Sequence, residues 1–369
     1  MKMKAAVYYG PGDIRLQEIE RPEVNPEGAI LKVKACGVCN LLDAAWWKSW
    51  PENGQGIGLV RGHEWSGDLV EVGSEVTDFK VGDRIFIEPV FRPCYHCEAC
   101  RLKDYWRCIH WVDNEAGRAI NGAFAEYLAI PFLTKLNAIK LPDTLSYHDL
   151  ALIEPLALGA GMARRAEADK VVVVLGQDTV GLGTVALLKK RGVPRVIASD
   201  ISKKRIEASE EAGADIVVDA LNKDIVQLVM QETRGVGADT VIQCDERPTA
   251  IFQAMNMVKH RGKIWTTGGF LRINPSLIPP QVTNVFRMPP EAGAITDSAI
   301  SLDHGMASMA SGFGYGQRLS RFQEVVDLML SGKCTADKLV SHVFPLDKIT
   351  EAFEIGMDYH ESIKVLVEP

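Results

Sequence analysis

The sequence predicts an α/β chain in two parts, a β-rich N-terminal portion and then a doubly wound domain built on a parallel sheet. Three observations carry that reading. The first 150 residues hold short apolar strands broken by Gly and Pro. From Asp169 the pattern changes to apolar strands alternating with helical stretches at the spacing of βαβ units. At 369 residues, and roughly 150 per domain, the chain has room for two cores.

The strands of the first part are AILKVKACGV, GDLVEVG and DRIFIEP, with turn chemistry between them. The second part opens on the strand KVVVVLG, followed by the helix TVGLGTVALLKKRG, the strand RVIASD, the helix SKKRIEASEEAGAD and the strand IVVD. The rhythm continues through DTVIQCD, a helix over TAIFQAMNMVKHRG and the strand KIWTTGG. Residues Phe270 to Gly305 break it, with prolines at 275, 279, 280, 289 and 290. A loop of that length is expected to close over substrate or to join subunits. A helix (SRFQEVVDLMLSGK), a short strand (LVSHVFP) and another helix (DKITEAFEIGMDYH) follow.

Composition narrows the function classes. Hydrophobic residues make up 47% and charged residues 24%, an ordinary globular balance that excludes disordered, collagen-like and coiled-coil chains. No apolar run approaches the ~20 residues that span a bilayer, and the N-terminus lacks the apolar core and cleavage site of a secretory signal. The expected residence is cytoplasmic. A net charge of -7 gives no electrostatic reason to bind nucleic acid or anionic lipid.

Four of the eight cysteines, Cys94, Cys97, Cys100 and Cys108, follow C-x2-C-x2-C-x7-C. Thiolates so close in sequence can wrap one tetrahedral Zn²⁺, and four of them leave no open position, so this zinc is expected to fasten a loop and not to catalyse. Two disulfides or four free thiols are the competing readings, the first disfavoured by a reducing compartment and the second by so tight a cluster. A second constellation is spread wider. Cys39 follows AILKVKACGV, His63 and Glu64 sit in VRGHEWSG, and Glu154 lies in LIEPLALG. Singly, each suits a buried thiol, a surface pair or a helix-terminal acid. Together they supply three protein ligands and an open fourth position, the plan of a catalytic zinc site.

In KVVVVLGQDTVGLG a strand runs into Gly176, Gly181 and Gly183 and then a helix. The dinucleotide fingerprint G-x-G-x-x-G would place its second glycine at Asp178, where a carboxylate adds bulk and like charge beside a diphosphate. The context still fits, with Thr179 and Val180 at the helix start and Asp200 ending the next strand about 20 residues on. Asp200 would accept hydrogen bonds from an adenosine ribose and repel a 2′-phosphate, which favours NAD over NADP.

On these residues the chain resembles the zinc-dependent medium-chain dehydrogenases, most closely the sorbitol and threonine dehydrogenase branch, over nearly its whole length. The resemblance rests on ACGVC, GHEWSG, the four-cysteine lobe, IEP, the glycine turn, SDISKKR, EAGAD and the closing ESIKVLVEP. It implies a GroES-like β catalytic domain over 1–157 and 311–369, and a Rossmann NAD-binding domain over 158–310. It further implies two zinc ions per chain, one catalytic and one structural, and a homodimer or homotetramer. The catalytic ligands it carries over are Cys39, His63, Glu64 and Glu154, the two carboxylates being able to exchange places around the metal. Arg205 matches the family residue that lies against the adenine.

Three departures stand out. The family follows its zinc cysteine with G-S/T-D, whose hydroxyl relays the alcohol proton, whereas here Asn40-Leu41-Leu42-Asp43 follows. With one residue inserted, Asp43-Ala44-Ala45-Trp46-Trp47 matches the sorbitol-type D-V-H-Y-W, and the relay histidine is Ala45. The proton then leaves through water, Glu64 or Glu154, a cofactor ribose hydroxyl or the substrate itself. The second departure is Asp178. The third is Asp245-Glu246 in place of the family's T-G after the strand holding Cys244. Trp46, Trp47 and Trp50 occupy substrate-pocket positions by resemblance, where rings stack on a sugar or cyclitol, although core packing is the commoner role of any single tryptophan. The expected activity is NAD-linked oxidation of a secondary alcohol, a polyol, cyclitol or sugar derivative. The alternatives are C=C or C=N reduction or a closed redox cycle with the same cofactors, and a degenerate protein that binds a small molecule without turnover.

Overall fold

The computed structural model describes residues 1–48, 56–89, 96–101, 114–135, 137–166, 168–244, 248–267 and 315–369. Contacts divide the chain into two compact units, Met1–Pro155 with Ala310–Pro369, and Leu156–Met309.

The first unit opens on an antiparallel hairpin of β1 (Lys2–Gly10) and β2 (Asp13–Glu20). Its turn is Pro11-Gly12, with Gly12 at a φ of 69° that favours glycine. Next come β3 (Ala29–Val38), α1 (Leu42–Lys48), β4 (Glu64–Val72), β5 (Ile85–Ile87), α2 (Glu98–Arg101), β6 (Tyr127–Ile130), β7 (Ala138–Lys140) and α3 (Tyr147–Ala151). Helix α4 (Ile153–Arg165) starts in this unit and ends in the next. The central sheet has the order β13-β14-β3-β4 with β6 also on β3, where β13 is Val340–Pro345 and β14 is Lys364–Glu368. Thus the C-terminal strand lies against β3, Val365 opposite Val38 and Leu366 opposite Gly37. One core of buried residues, including Leu31, Val33, Trp46, Trp65, Phe124 and Phe353, unites hairpin, sheet and helix.

The second unit is a five-stranded parallel sheet of order β10-β9-β8-β11-β12. Its strands are β8 (Val171–Leu175), β9 (Arg195–Asp200), β10 (Ile216–Asp219), β11 (Ala238–Gln243) and β12 (Val258–Thr266). Between them run α5 (Thr179–Lys190), α6 (Lys203–Ala212), α7 (Ile225–Glu232) and α8 (Pro248–Met257). Val172, Val173 and Val174 are fully buried, as a strand covered on both faces requires. Strand order reverses between β8 and β11, so the carboxyl end of β8 is the switch point at which such sheets bind ligands.

The return to the first unit is α9 (Tyr315–Leu330), α10 (Ala336–Leu339) and α11 (Ile349–Gly356), with β13 and β14. Among the described residues no helix is long and apolar enough to cross a membrane. The segment from Phe270 to Gly305, Trp50 and Asp245-Glu246 lie outside the described residues.

Boundaries differ from the sequence reading in two places. The helix anticipated over TAIFQAMNMVKHRG ends at Met257, because Val258 already pairs with Ala238. A shift containing Arg261, at φ 59°, then brings Lys263 opposite Thr240. The strand anticipated at GDLVEVG begins earlier, at Glu64, so a metal-ligand candidate is itself a strand residue. The N-terminal hairpin and α7 were not anticipated.

Candidate active site and dinucleotide turn

Strand register assembles the metal-binding candidates. Gly37 lies opposite Glu64 on the β3–β4 ladder, so Cys39, just past β3, meets His63, just before β4. The Cys39 sulfur, a His63 ring nitrogen and a Glu64 carboxylate oxygen lie within 4.8 Å of one another. Cys39 is held on both sides. Its backbone N–H donates to Asp43 Oδ2 at 2.9 Å, and the Leu42 N–H donates to its sulfur at 3.3 Å. Burial pushes the Cys39 thiol up, while His63, with which it shares a hydrogen bond, pulls it back down. Burial acts to lower His63, yet the Cys39 and Asp43 charges outweigh it and leave the imidazole well above its ordinary value. A thiolate, an imidazole and a carboxylate at this separation, with a backbone donor on the sulfur, are a donor set that suits Zn²⁺.

Lys364 is the residue that sequence reading missed. From the first residue of β14 its Nζ donates to Glu64 Oε1 at 2.9 Å, Oε2 at 2.7 Å and the Val38 carbonyl at 3.1 Å. Both side chains are buried, 3% and 1% exposed. Lysine 300 positions away in sequence gives no local signal; only the β14–β3 pairing brings it here. Glu64 is thus clamped through both oxygens. Glu154, in the first turn of α4, is buried and stands outside the three-atom cluster. Burial pushes its carboxyl up to about 7, His63 opposing and Glu64 adding to the shift. Of the two carboxylates, Glu154 is the one whose charge is not already clamped by lysine.

Other expected site residues fall differently. Trp46 is 2% exposed in the core, with Tyr8 donating its hydroxyl to the Trp46 carbonyl at 2.8 Å and the Arg61 guanidinium lying across its indole. The face anticipated for a sugar ring is therefore covered by Arg61, whose own pKa burial lowers to about 9. Trp47 is half-buried, its ring 5.3 Å from that of Phe353. Asn40 is buried beside Cys39; its Nδ2 donates to the Ile363 carbonyl at 3.4 Å, and its Oδ1 has no hydrogen-bond partner among the described residues. Of the cysteine lobe, Cys97 is half-buried just before α2, Cys100 lies within α2, and Cys94 and Cys108 fall outside the described residues.

At the end of β8 the chain turns at Gly176, φ 86°, into α5. A Cβ on Gly181 would stand 2.0 Å from the Gly176 carbonyl, so helix and strand approach as closely as the fingerprint demands. Asp178 caps α5, its Oδ1 accepting the Val180 and Gly181 N–H groups. Asp200 accepts the backbone N–H groups of Gln177, Ile201 and Ser202, and the Arg205 guanidinium lies 3.9 Å from its Oδ2. Among the described residues, Gln177 Oε1 and Thr179 Oγ1 are buried beside the turn without hydrogen-bond partners, as groups that await a polar ligand would be. The glycines, Asp200 and these orphaned atoms fit a dinucleotide; Asp178 is the exception.

Comparison with known proteins agrees with both halves. Residues 25–143 match the alcohol dehydrogenase GroES-like domain, and residues 179–287 the zinc-binding dehydrogenase domain. The chain is 30% identical to (R,R)-butanediol dehydrogenase of Bacillus subtilis, all of each chain being covered. It is 28% identical to sorbitol dehydrogenase of the same organism, covering 100% of this chain and 97% of the relative. The crystal structure of 2R,3R-butanediol dehydrogenase from Bacillus subtilis superposes with a TM-score of 0.75 at 28% identity, over 100% of this chain and 99% of that one. The chain belongs to the zinc-dependent medium-chain dehydrogenase family and is an oxidoreductase of the alcohol dehydrogenase class. A GroES-like domain and a Rossmann-type domain are its fold, and zinc and a nicotinamide dinucleotide are the cofactors of that class.

Proposed function

We propose that the chain oxidises a secondary alcohol flanked by further hydroxyls, a polyol, cyclitol or sugar derivative, to the ketone, with NAD taking the hydride and one proton released. The observation that carries this reading is the Cys39–His63–Glu64 cluster, a sulfur, an imidazole nitrogen and a carboxylate oxygen within 4.8 Å. Zinc in such a site supplies a Lewis acid that makes an alcohol hydroxyl acidic near neutrality, and nicotinamide supplies the hydride acceptor.

Cys39, His63 and Glu64 would hold the metal, with Glu154 able to exchange places with Glu64 around it. Lys364, donating to both Glu64 oxygens, fixes that carboxylate beside Cys39 and His63. No hydroxyl follows Cys39, since Leu41 and Leu42 stand there. Glu154, a buried carboxylate next to His63 and Glu64, is then placed to take up the alcohol proton when it is not on the metal. Asn40 Oδ1, a buried acceptor with no partner among the described residues, can receive a second substrate hydroxyl. Asp200 on the adenosine side supports NAD over NADP. Cys94, Cys97, Cys100 and Cys108 would hold the structural zinc, and a homodimer or homotetramer follows the family.

The test is initial-rate reduction of NAD and NADP by zinc-replete protein against polyols, cyclitols, sugars, amino alcohols and simple secondary alcohols, with zinc counted by mass spectrometry. Turnover with NAD on a hydroxyl-rich class and two zinc per chain are expected. Cys39→Ser should remove one zinc and nearly all turnover with the fold retained; Cys97→Ser should remove the other and lower stability. The leucines after Cys39 favour a second reading, C=C or C=N reduction or a closed redox cycle. Silence across the panel with zinc and NAD both bound would support it. Silence without bound zinc would leave a binding protein.

A further inference from the structure

The dinucleotide turn carries an inference that deepens the cofactor reading and rests on it. We propose that Asp178 is an internal competitor for the pyrophosphate of the cofactor, so that this one residue sets how tightly the chain holds its dinucleotide. The N-terminus of a helix binds phosphate because its first N–H groups lack partners and point outward. In α5 two of those groups, on Val180 and Gly181, already donate to Asp178 Oδ1 at 2.9 and 3.0 Å. The side-chain carboxylate therefore occupies, with the same charge and the same hydrogen-bond geometry, the volume that a phosphate oxygen needs.

Backbone strain does not explain the residue. Asp178 sits at φ -72° and ψ -170°, extended backbone open to any amino acid. The fingerprint's second glycine is demanded by ligand space, whereas Gly176 at φ 86° is demanded by the turn itself. Every other requirement of the turn is met. Gly181 permits the helix–strand approach, and Asp200 stands at the end of β9 with its carboxylate fixed by the Gln177, Ile201 and Ser202 N–H groups. The chain thus keeps the cradle and fills it with its own anion. A dinucleotide enters by rotating Asp178 away from α5, giving up a cap of the kind that is worth about tenfold in helix stability and placing a second negative charge beside its phosphates. Cofactor is held loosely and exchanged readily, and the empty turn is stabler than a glycine turn would be.

Equilibrium binding to the full-length protein tests this with two probes, ADP-ribose, which carries the pyrophosphate, and adenosine, which does not. Asp178→Gly should tighten ADP-ribose about tenfold or more and leave adenosine unchanged, while the ligand-free protein melts at lower temperature. Asp178→Asn keeps a capping side chain but removes the charge, and should tighten ADP-ribose by a smaller factor without the fall in melting temperature. That second variant decides the matter if the glycine variant does not fold. Unchanged or weaker ADP-ribose binding in the folded variants, with adenosine still bound, would overturn the competition and leave the cofactor reading standing. Failure of the parent and variants alike to bind either probe would overturn the cofactor reading, and the proposal with it.

Discussion

Each side chain around Cys39 is set by its neighbours' charges. Lys364 and Glu64 are a buried pair, and removing one member leaves the other's charge without compensation, typically about 3–5 kcal/mol. Lys364→Met is expected to lower unfolding free energy by that amount in denaturant titration, and Glu64→Gln on top of it to recover part of the loss. Additive losses would show that the two do not act as a pair. Glu154 gives a pH dependence whose sign follows from its raised value. The folded carboxyl near 7 retains its proton when the unfolded one, near 4.5, has lost it. The contribution of Glu154 to the stability of the metal-free protein therefore falls as pH rises from 4.5 to 7 and levels off above. Glu154→Gln should match the parent at pH 4 and exceed it at pH 8 by about 3 kcal/mol, the free-energy equivalent of that displacement. A constant difference at both pH values would show that Glu154 titrates normally.

Elements place these residues through register. Because Gly37 faces Glu64 across the β3–β4 ladder, a Cβ there would stand 2.1 Å from Glu64 Oε2. Gly37→Ala should push that carboxylate off Lys364, at about 1–3 kcal/mol for overpacking. Combined with Lys364→Met it should cost less than the sum of the two, since each disturbs the same pair. The elements most legible in sequence were those whose pattern is local. The valine run of β8, the glycine turn and Asp200 announced a dinucleotide unit because strand, turn and helix are contiguous. Cys39 and His63 were legible as motifs, whereas Lys364 and the clamp on Glu64 arise from pairing between strands at opposite ends of the chain. Helix α8 was read too long because a parallel pairing with β11 captures Val258, a contact no helical periodicity records. The resemblance alone points Trp46 toward substrate, against the commoner core role of a tryptophan, and the packing of Tyr8 and Arg61 puts it in the core.

The whole molecule divides its chemistry between two cores. The metal-binding candidates hang on the sheet of the first unit, whose buried cluster runs from Met3 to Val367, and the dinucleotide turn on the second, whose cluster runs from Val173 to Ile264. Each ligand should therefore stabilise the backbone that holds it, by an amount set by its concentration relative to its dissociation constant, about 2.7 kcal/mol at a hundredfold excess. Hydrogen exchange read by mass spectrometry separates the two effects. Zinc removal by a chelator should speed exchange in peptides covering the β3 end through Leu42, the Gly62–Trp65 stretch and β14, since Cys39, His63 and Lys364 lie there. ADP-ribose should slow exchange at the β8 end, the first turn of α5 and the end of β9. In Asp178→Gly the same segment should exchange faster than the parent when empty and slower when saturated, because one amide pair passes from an internal cap to a bound phosphate. Protection by ADP-ribose confined to the first unit, or chelator effects confined to the second, would contradict this division of labour and reassign the sites.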